Sequence, residues 1–373
     1  MGYARQDYWF HQVPLYQNIG FLKDGMRFSM KEVRSQRLRI LVVRLSALGD
    51  VVLTLPVACE LRRCFPEAHL AWAVESSFAP VLEHHPALDE VIVLPRGWAK
   101  SWQGIRSVWR TMRSRHFDLV IDVQSLTRSA LVAWFTGAKT RIGFARPQGR
   151  ELAPWMATQL WHPRQTHVVD RFLELLAAVG VSCPQVTFDL HETVDETSWA
   201  ENATRKLGLQ GSYAVINPGA GWPSKLWCPH RFAEVAKYLN QSHGIPVLVL
   251  WGNQSERDWA DIIVAHGGEH TVLSPATNIR QMMALLRRAS LMVGCDTGPL
   301  HLAAAVGTPC VGLYGPTKGE ETGPYGPNHV IVQAARYHGR HRRKAPRSLM
   351  EAITVDMVCQ ACSQLLSRIK TAA

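Results

Sequence analysis

The sequence has no uninterrupted apolar run approaching the roughly 18 residues that a membrane-spanning helix needs, and its first residues lack the basic, apolar, small-residue order of a secretory leader. Both absences predict a cytoplasmic chain. The eight cysteines are scattered, several of them inside apolar runs, which argues for reduced core thiols and against a disulfide framework. Cys359 and Cys362 form a lone CxxC on a predicted helix, and without a second pair neither zinc nor redox chemistry is expected there. None of the thirteen aspartates stands two residues from another, so the DxD arrangement that holds a divalent ion is missing. A GxxxxGK[ST] P-loop is missing as well.

Acid is also in short supply. Against 41 Lys and Arg stand 30 Asp and Glu, a formal net charge of +11 that implies an anionic partner. No acid occurs between Glu90 and Asp118, while Arg96, Lys100, Arg106, Arg110, Arg113 and Arg115 alternate with Trp98, Trp102 and Trp109. A solvated face would account for the charges alone; the interleaved tryptophans predict a surface for something both anionic and greasy. A second basic cluster, Arg336 to Arg347, follows the last expected strand and reads as a solvated face or mobile loop. No nucleic-acid reader motif accompanies either cluster, so nucleic acid is not expected as a partner.

What the chain does have is apolar material, 47% of its 373 residues, enough for about two domains with separate cores. Residues 1–36 are an aromatic and basic extension, and Met30 is a more usual starting point. From Leu38 strands alternate with helices: strands at 38–44, 69–74, 91–94 and 119–123, a Trp- and Arg-rich helix, and a long helix over 167–179. A polar stretch around 183–197 separates a second series, with strands at 213–217, 247–251, 271–273, 291–295, 310–314 and 329–332. One or two closing helices are expected over 349–368. Alternation of this kind predicts two Rossmann-like domains, 37–190 and 191–348, with parallel sheets and a deep cleft between them, where ligands bind beyond the carboxyl ends of the strands.

Three strand-to-helix junctions carry candidate chemistry. The run Asp296-Thr297-Gly298-Pro299-Leu300-His301 stands where free backbone N–H groups at a helix N-terminus favour an anion; the alternative is an ordinary capped turn. Gly307 reads as the residue that ends this helix. In Arg44-Leu45-Ser46-Ala47-Leu48-Gly49-Asp50, Gly49 permits close approach of backbone or ligand. Asp50 is either a first-turn carboxylate held by the helix dipole or a general base facing an acceptor hydroxyl. Asn217-Pro218-Gly219-Ala220-Gly221 lacks the third glycine of a dinucleotide fingerprint. Beyond it, Lys225 is either solvated or a mobile point charge for a diphosphate, and Glu256 either meets ribose hydroxyls or caps a helix.

Together these residues resemble the bacterial lipopolysaccharide heptosyltransferases of glycosyltransferase family 9. The resemblance runs from about Arg37 to Arg368. It rests on Leu45 to Asp50 with Thr54-Leu55-Pro56, Asn217-Pro218-Gly219 with Lys225-Leu226-Trp227, and Asp296 to Gly307 with Tyr314-Gly315-Pro316-Thr317. Trp72 to Glu75, Asp122 to Leu126, Arg141 to Phe144, Arg150-Glu151 and His167 to Arg171 resemble the type I enzymes, which add the first heptose to the 3-deoxy-octulosonate of the inner core. The resemblance implies a GT-B architecture and an inverting, metal-independent transfer from ADP-heptose, with no cofactor, to an anionic lipid-linked acceptor. It also implies peripheral contact with the inner face of the cytoplasmic membrane. It assigns catalysis to Asp50 and Lys225, donor binding to Ser46, Gly49, Glu256, Asp296, Thr297, Gly298 and His301, and acceptor binding to Arg96, Lys100 and Arg150. The extension, Ala47 where a second hydroxyl is common, and the basic loop depart from the family pattern. The alternatives are a relative with another nucleotide sugar or a non-lipid acceptor, and a non-catalytic sugar-nucleotide binding protein.

Overall fold

The computed structural model describes residues 38–209, 211–339 and 341–372. The extension 1–36 lies outside the described residues. Two six-stranded, wholly parallel sheets organise the chain. The first contains β1 Arg39–Val43, β2 His69–Glu75, β3 Glu90–Leu94, β4 Leu119–Asp122, β5 Thr140–Phe144 and β6 Gln159–Trp161. The second contains β7 Ala214–Asn217, β8 Val247–Val249, β9 Thr271–Leu273, β10 Leu291–Cys295, β11 Cys310–Leu313 and β12 His329–Val332. Their orders, β3-β2-β1-β4-β5-β6 and β12-β11-β10-β7-β8-β9, are one plan used twice, since counting from β7 the second sheet also runs 3-2-1-4-5-6. Central strands such as β1 and β10 are continuous apolar runs because helices cover both faces of each sheet.

The strand order reverses between β1 and β4, and again between β7 and β10, the topological position beyond which ligands bind in sheets of this kind. The helices that follow are α1 Leu48–Cys64, α2 Trp102–Arg113, α3 Thr127–Phe135, α4 Ala153–Met156 and α5 Val168–Glu174 in the first half. In the second they are α6 Val194–Lys206, α7 Pro229–His243, α8 Gln254–His266, α9 Ile279–Arg288, α10 Gly298–Ala305, α11 Gly319–Thr322, α12 Ser348–Glu351 and α13 Val355–Ala372.

One core runs through both halves: Ile40, Val42, Val52, Leu55 and Trp72 from the first join Val215, Leu248, Met292, Leu300 and Leu302 from the second. Its seam is the packing of α1 against α10. A Cβ on Gly298 would stand 2.8 Å from the Leu48 side chain, so glycine is required for this approach. The outer face of the first sheet is covered by α2 and α3 through Val108, Met112, Val132 and Phe135. The outer face of the second is covered by α7, α8 and α13, with Cys359 and Cys362 packed inside that core.

The sequence pattern locates ten of the twelve strands. It does not mark β5, or β6, a three-residue edge strand with no buried residue. The long helix expected over 167–179 divides into α5 and a 3₁₀ segment, Leu175–Val179, closed by Gly180 at φ +85°. Gly307, at φ +91°, follows α10 as expected.

Candidate functional site

The loop leaving β1 is pinned from beneath. Gln124 accepts the Leu45 N–H at 2.8 Å, and the Trp72 indole donates to the Arg44 carbonyl at 3.1 Å. Arg44 is buried over the Phe172 ring, and its Nη2 pairs with Asp50 Oδ1 at 2.7 Å. Asp50 Oδ2 accepts the Ala47 N–H at 3.3 Å. The Asp50 side chain is nevertheless 48% exposed, so it is oriented without being sealed off, in the first turn of α1. Ser46, in the same loop, is half-buried. Gly49 meets the second half directly: a Cβ there would lie 2.7 Å from His301 Cδ2.

On the opposite wall the polar groups lock one another. Lys225 Nζ pairs with Asp296 Oδ2 at 2.6 Å and donates to the Asp296 carbonyl at 3.3 Å, while His301 Nε2 lies 3.2 Å from Asp296 Oδ1. Burial pushes the Asp296 carboxyl up, but the His301 hydrogen bond and the Lys225 charge outweigh it and hold its pKa well below the ordinary carboxylate range. Lys225 is therefore not the mobile point charge that the sequence suggests. Its ammonium makes two hydrogen bonds to Asp296, one to the carboxylate and one to the carbonyl. His301 Nδ1 is buried with no partner among the described residues. Thr297 stands at the N-cap of α10 without a side-chain cap; its Oγ1 instead receives the Asn217 amide at 3.4 Å. The first turn of α10 is thus without a side-chain cap.

Glu256 is in the first turn of α8, where Asn253 supplies the cap by accepting the Glu256 N–H at 3.1 Å. Its carboxylate accepts the Gly252 N–H at 2.8 Å and lies against Gly219, where any Cβ would collide with it. Glu256 is therefore brought to the edge of the Asn217 loop, and the cap role falls to its neighbour.

Two residues that sequence reasoning missed complete this wall. Trp222 carries Lys225 Nζ at 4.3 Å and the Arg343 guanidinium at 5.2 Å from its ring centroid. Ser224 Oγ donates to the Arg342 carbonyl at 3.1 Å, which fastens the basic segment to the Asn217 loop. Arg336 and Arg342 pair with Glu320 and Glu321 at 3.1 and 3.3 Å. Three residues of the described part, Arg336, Arg342 and Arg343, thus have partners, while Lys344 and Arg347 are exposed without an ion pair among the described residues, as a solvated face would have them. Nothing in the local sequence around Arg343 signals a partner 121 positions away, so only charge count offered a hint.

Arg96, Lys100 and Arg150 are exposed, and none is ion-paired among the described residues. Arg96 and Lys100 follow β3, and Arg150 follows β5. The strands that precede these cations, β3 and β5, lie two strands to either side of β1, about 10 Å away by strand spacing. The two halves are also bridged beside the site: His167 Nε2 lies 3.0 Å from the Gly323 carbonyl, and the Tyr325 hydroxyl donates to Asp170 at 2.7 Å.

Comparison with known proteins follows the same lines. A family model described as glycosyltransferase family 9 (heptosyltransferase) matches residues 105–351. The lipopolysaccharide heptosyltransferase 1 of Pseudomonas aeruginosa is 32% identical over 302 residues, 79% of this chain and 83% of the relative. The structure of the Escherichia coli heptosyltransferase WaaC with ADP-2-deoxy-2-fluoro heptose superposes with a TM-score of 0.71 at 28% identity, covering 88% of this chain and 99% of that one. A family 9 glycosyl transferase from Veillonella parvula, 23% identical, shares the fold with a TM-score of 0.81 over 92% of this chain and all of its own. With its two parallel sheets in the GT-B arrangement, the chain belongs to glycosyltransferase family 9, the heptosyltransferases of lipopolysaccharide core assembly.

Proposed function

We propose that the chain moves L-glycero-D-manno-heptose from ADP-heptose to the inner-core 3-deoxy-octulosonate of a lipid-linked lipopolysaccharide precursor, by a single inverting displacement that needs no metal. The observation that carries this reading is the meeting, at Gly49 and His301, of a half-exposed carboxylate on one wall with an uncapped helix N-terminus and a locked Lys225–Asp296–His301 group on the other. The ADP-2-deoxy-2-fluoro heptose held by the related Escherichia coli enzyme supports the choice of donor.

In this reading Asp50 accepts the proton of the attacking hydroxyl, whose oxygen bonds to the anomeric carbon as the bond to the diphosphate oxygen breaks. ADP leaves with that electron pair. Arg44 positions the base through its ion pair and Phe172 contact. The third Lys225 proton, the Thr297 hydroxyl and the Gly298 and Leu300 N–H groups receive the diphosphate, Glu256 receives the nucleoside, and Ser46 and Gly49 line the seam. Arg96, Lys100 and Arg150 receive the anionic acceptor, which the enzyme meets as a peripheral protein at the inner face of the cytoplasmic membrane. Among the described residues no helix is long and apolar enough to cross a membrane.

The test is calorimetry and turnover with ADP-heptose against UDP- and GDP-sugars, with and without EDTA. The expected result is selective ADP-heptose binding and turnover that survives the chelator. Loss of activity in EDTA with recovery in magnesium defeats the metal-free step, and preference for another nucleotide defeats the donor assignment.

A further inference from the structure

The structure adds to the acid-free segment a set of exposed aromatic side chains that lie far from it in sequence. On α2, Trp102 is 76% exposed and Trp109 is also exposed, although that helix has a buried side, Val108 and Met112, on which they could have been accommodated. On α3 Trp134 is exposed, and on and beside α4 Trp155 is 82% exposed with Leu152 next to it. The three helices adjoin, α2 against α3 and α3 against α4. The inner sides of α2 and α3 close the outer core of the first sheet, on the side of that sheet away from the core that joins the two halves, and Trp102, Trp109 and Trp134 are exposed on these two helices.

Arg106 and Arg110 accompany the tryptophans on α2, exposed and without an acidic partner among the described residues. The acids that border the face are engaged. Glu90 pairs with Arg115 at 2.7 Å, Asp118 accepts the Arg39 N–H at 2.8 Å, and Glu151 accepts the Thr127 N–H at 3.1 Å. Exposed tryptophans cost free energy in water unless a half-apolar, half-wet phase receives them, and unpaired guanidinium groups between them select an anionic one.

We propose that the outward side of α2, α3 and α4 is the surface by which this protein lies on an anionic lipid bilayer, with Trp102, Trp109, Trp134 and Trp155 in the headgroup layer and Arg106 and Arg110 on lipid phosphates. This face is separate from the donor wall, and it gives the membrane contact of the proposed function a physical location. Because Arg96 and Lys100 lie immediately before α2, docking there brings the acceptor-binding rim down to the lipid surface.

The test is sedimentation of the full chain with vesicles of phosphatidylglycerol and phosphatidylcholine against vesicles of phosphatidylcholine alone. Binding is expected to the anionic vesicles, to weaken with salt, and to fall at least tenfold in Trp102→Ser/Trp109→Ser and in Arg106→Glu/Arg110→Glu, with ADP affinity and thermal transition unchanged. Equal binding by both variants, or equal binding to neutral vesicles, overturns the proposal. So does self-association that these substitutions abolish without any vesicle binding, which would make a second copy the occupant. Failure of ADP-heptose turnover in the unaltered protein would count against the donor assignment and leave the vesicle result standing.

Discussion

Asp122 and Asp296 occupy equivalent corners of the two halves, one ending the fourth strand of the first sheet and the other directly following the fourth strand of the second, and they are put to opposite uses. Both are buried. Asp122 accepts only turn groups, the N–H of Gln124 and of Ser125 and the Ser129 hydroxyl, and burial pushes its pKa up to about 7. Asp296 has a lysine and a histidine within 3.2 Å, and its pKa is driven down. An aspartate at the carboxyl end of the fourth strand is therefore a turn-former in one half and the anchor of a charged cluster in the other. Fold position does not decide that difference; the His301 hydrogen bond and the Lys225 cation delivered from the Asn217 loop do.

The largest effect expected is on the open carboxylate of the first half, which neither buried aspartate can replace. Asp50→Asn keeps the shape but not the proton acceptor, so kcat should fall by roughly 10²–10⁴-fold with ADP affinity retained. Near-normal turnover at saturating substrates would assign Asp50 to the helix terminus alone.

Next comes the buried pair. Asp296→Asn leaves the Lys225 ammonium unpartnered in a buried site, which should cost about 3–5 kcal/mol of stability and weaken ADP binding. Adding Lys225→Met should restore most of the melting temperature but not the ADP affinity. If the double variant regains both, the cluster serves only to hold the fold.

Smaller again is the effect of reversing exposed charge. Arg96→Glu with Lys100→Glu should raise the acceptor KM about tenfold at low ionic strength, less above ~0.15 M salt, where screening acts within about 8 Å, and should leave ADP affinity unaltered. An equal loss of ADP affinity would join this rim to the donor wall.

A last test sharpens the comparison of corners. A carboxyl raised to about 7 in the folded protein contributes stability that is present below pH ~4 and lost as the pH rises through 7. The depressed Asp296 acts in the other direction, contributing stability above pH ~4 that is lost as the pH falls below it. Subtracting the melting curve of Asp122→Asn from that of the unaltered protein should therefore leave a slope confined to pH 4–7. A slope confined to lower pH would mean that Asp122 is ionised and paired.

Much of this was legible in the chain. Alternating apolar runs located most strands, because a strand buried on both faces must be apolar throughout. The strand-to-helix junctions drew attention to Asp50, Lys225, Asp296 and His301, and the structure brings the last three into contact and Gly49, next to Asp50, against His301. Local pattern could not show that Lys225 is held by Asp296 from 71 positions away, that Arg343 shares the Trp222 ring with it, or that Glu256 lies on Gly219.

By itself, then, the sequence determined the two parallel α/β units, the residue types at each carboxyl edge and the acid-free, tryptophan-bearing segment, all of which follow from local periodicity and composition. Only the tertiary structure decided which charges are neutralised and which stay open. Lys225 and Arg342 are paired, Asp50 is paired with Arg44 yet half-exposed, and Arg96, Lys100 and Arg150 are exposed without an ion pair among the described residues. It also decided that Trp134 and Trp155 join Trp102 and Trp109 on adjoining helices. The physical reason is that the strength of a charge and the exposure of a ring are set by their surroundings, and those surroundings are supplied by segments distant along the chain.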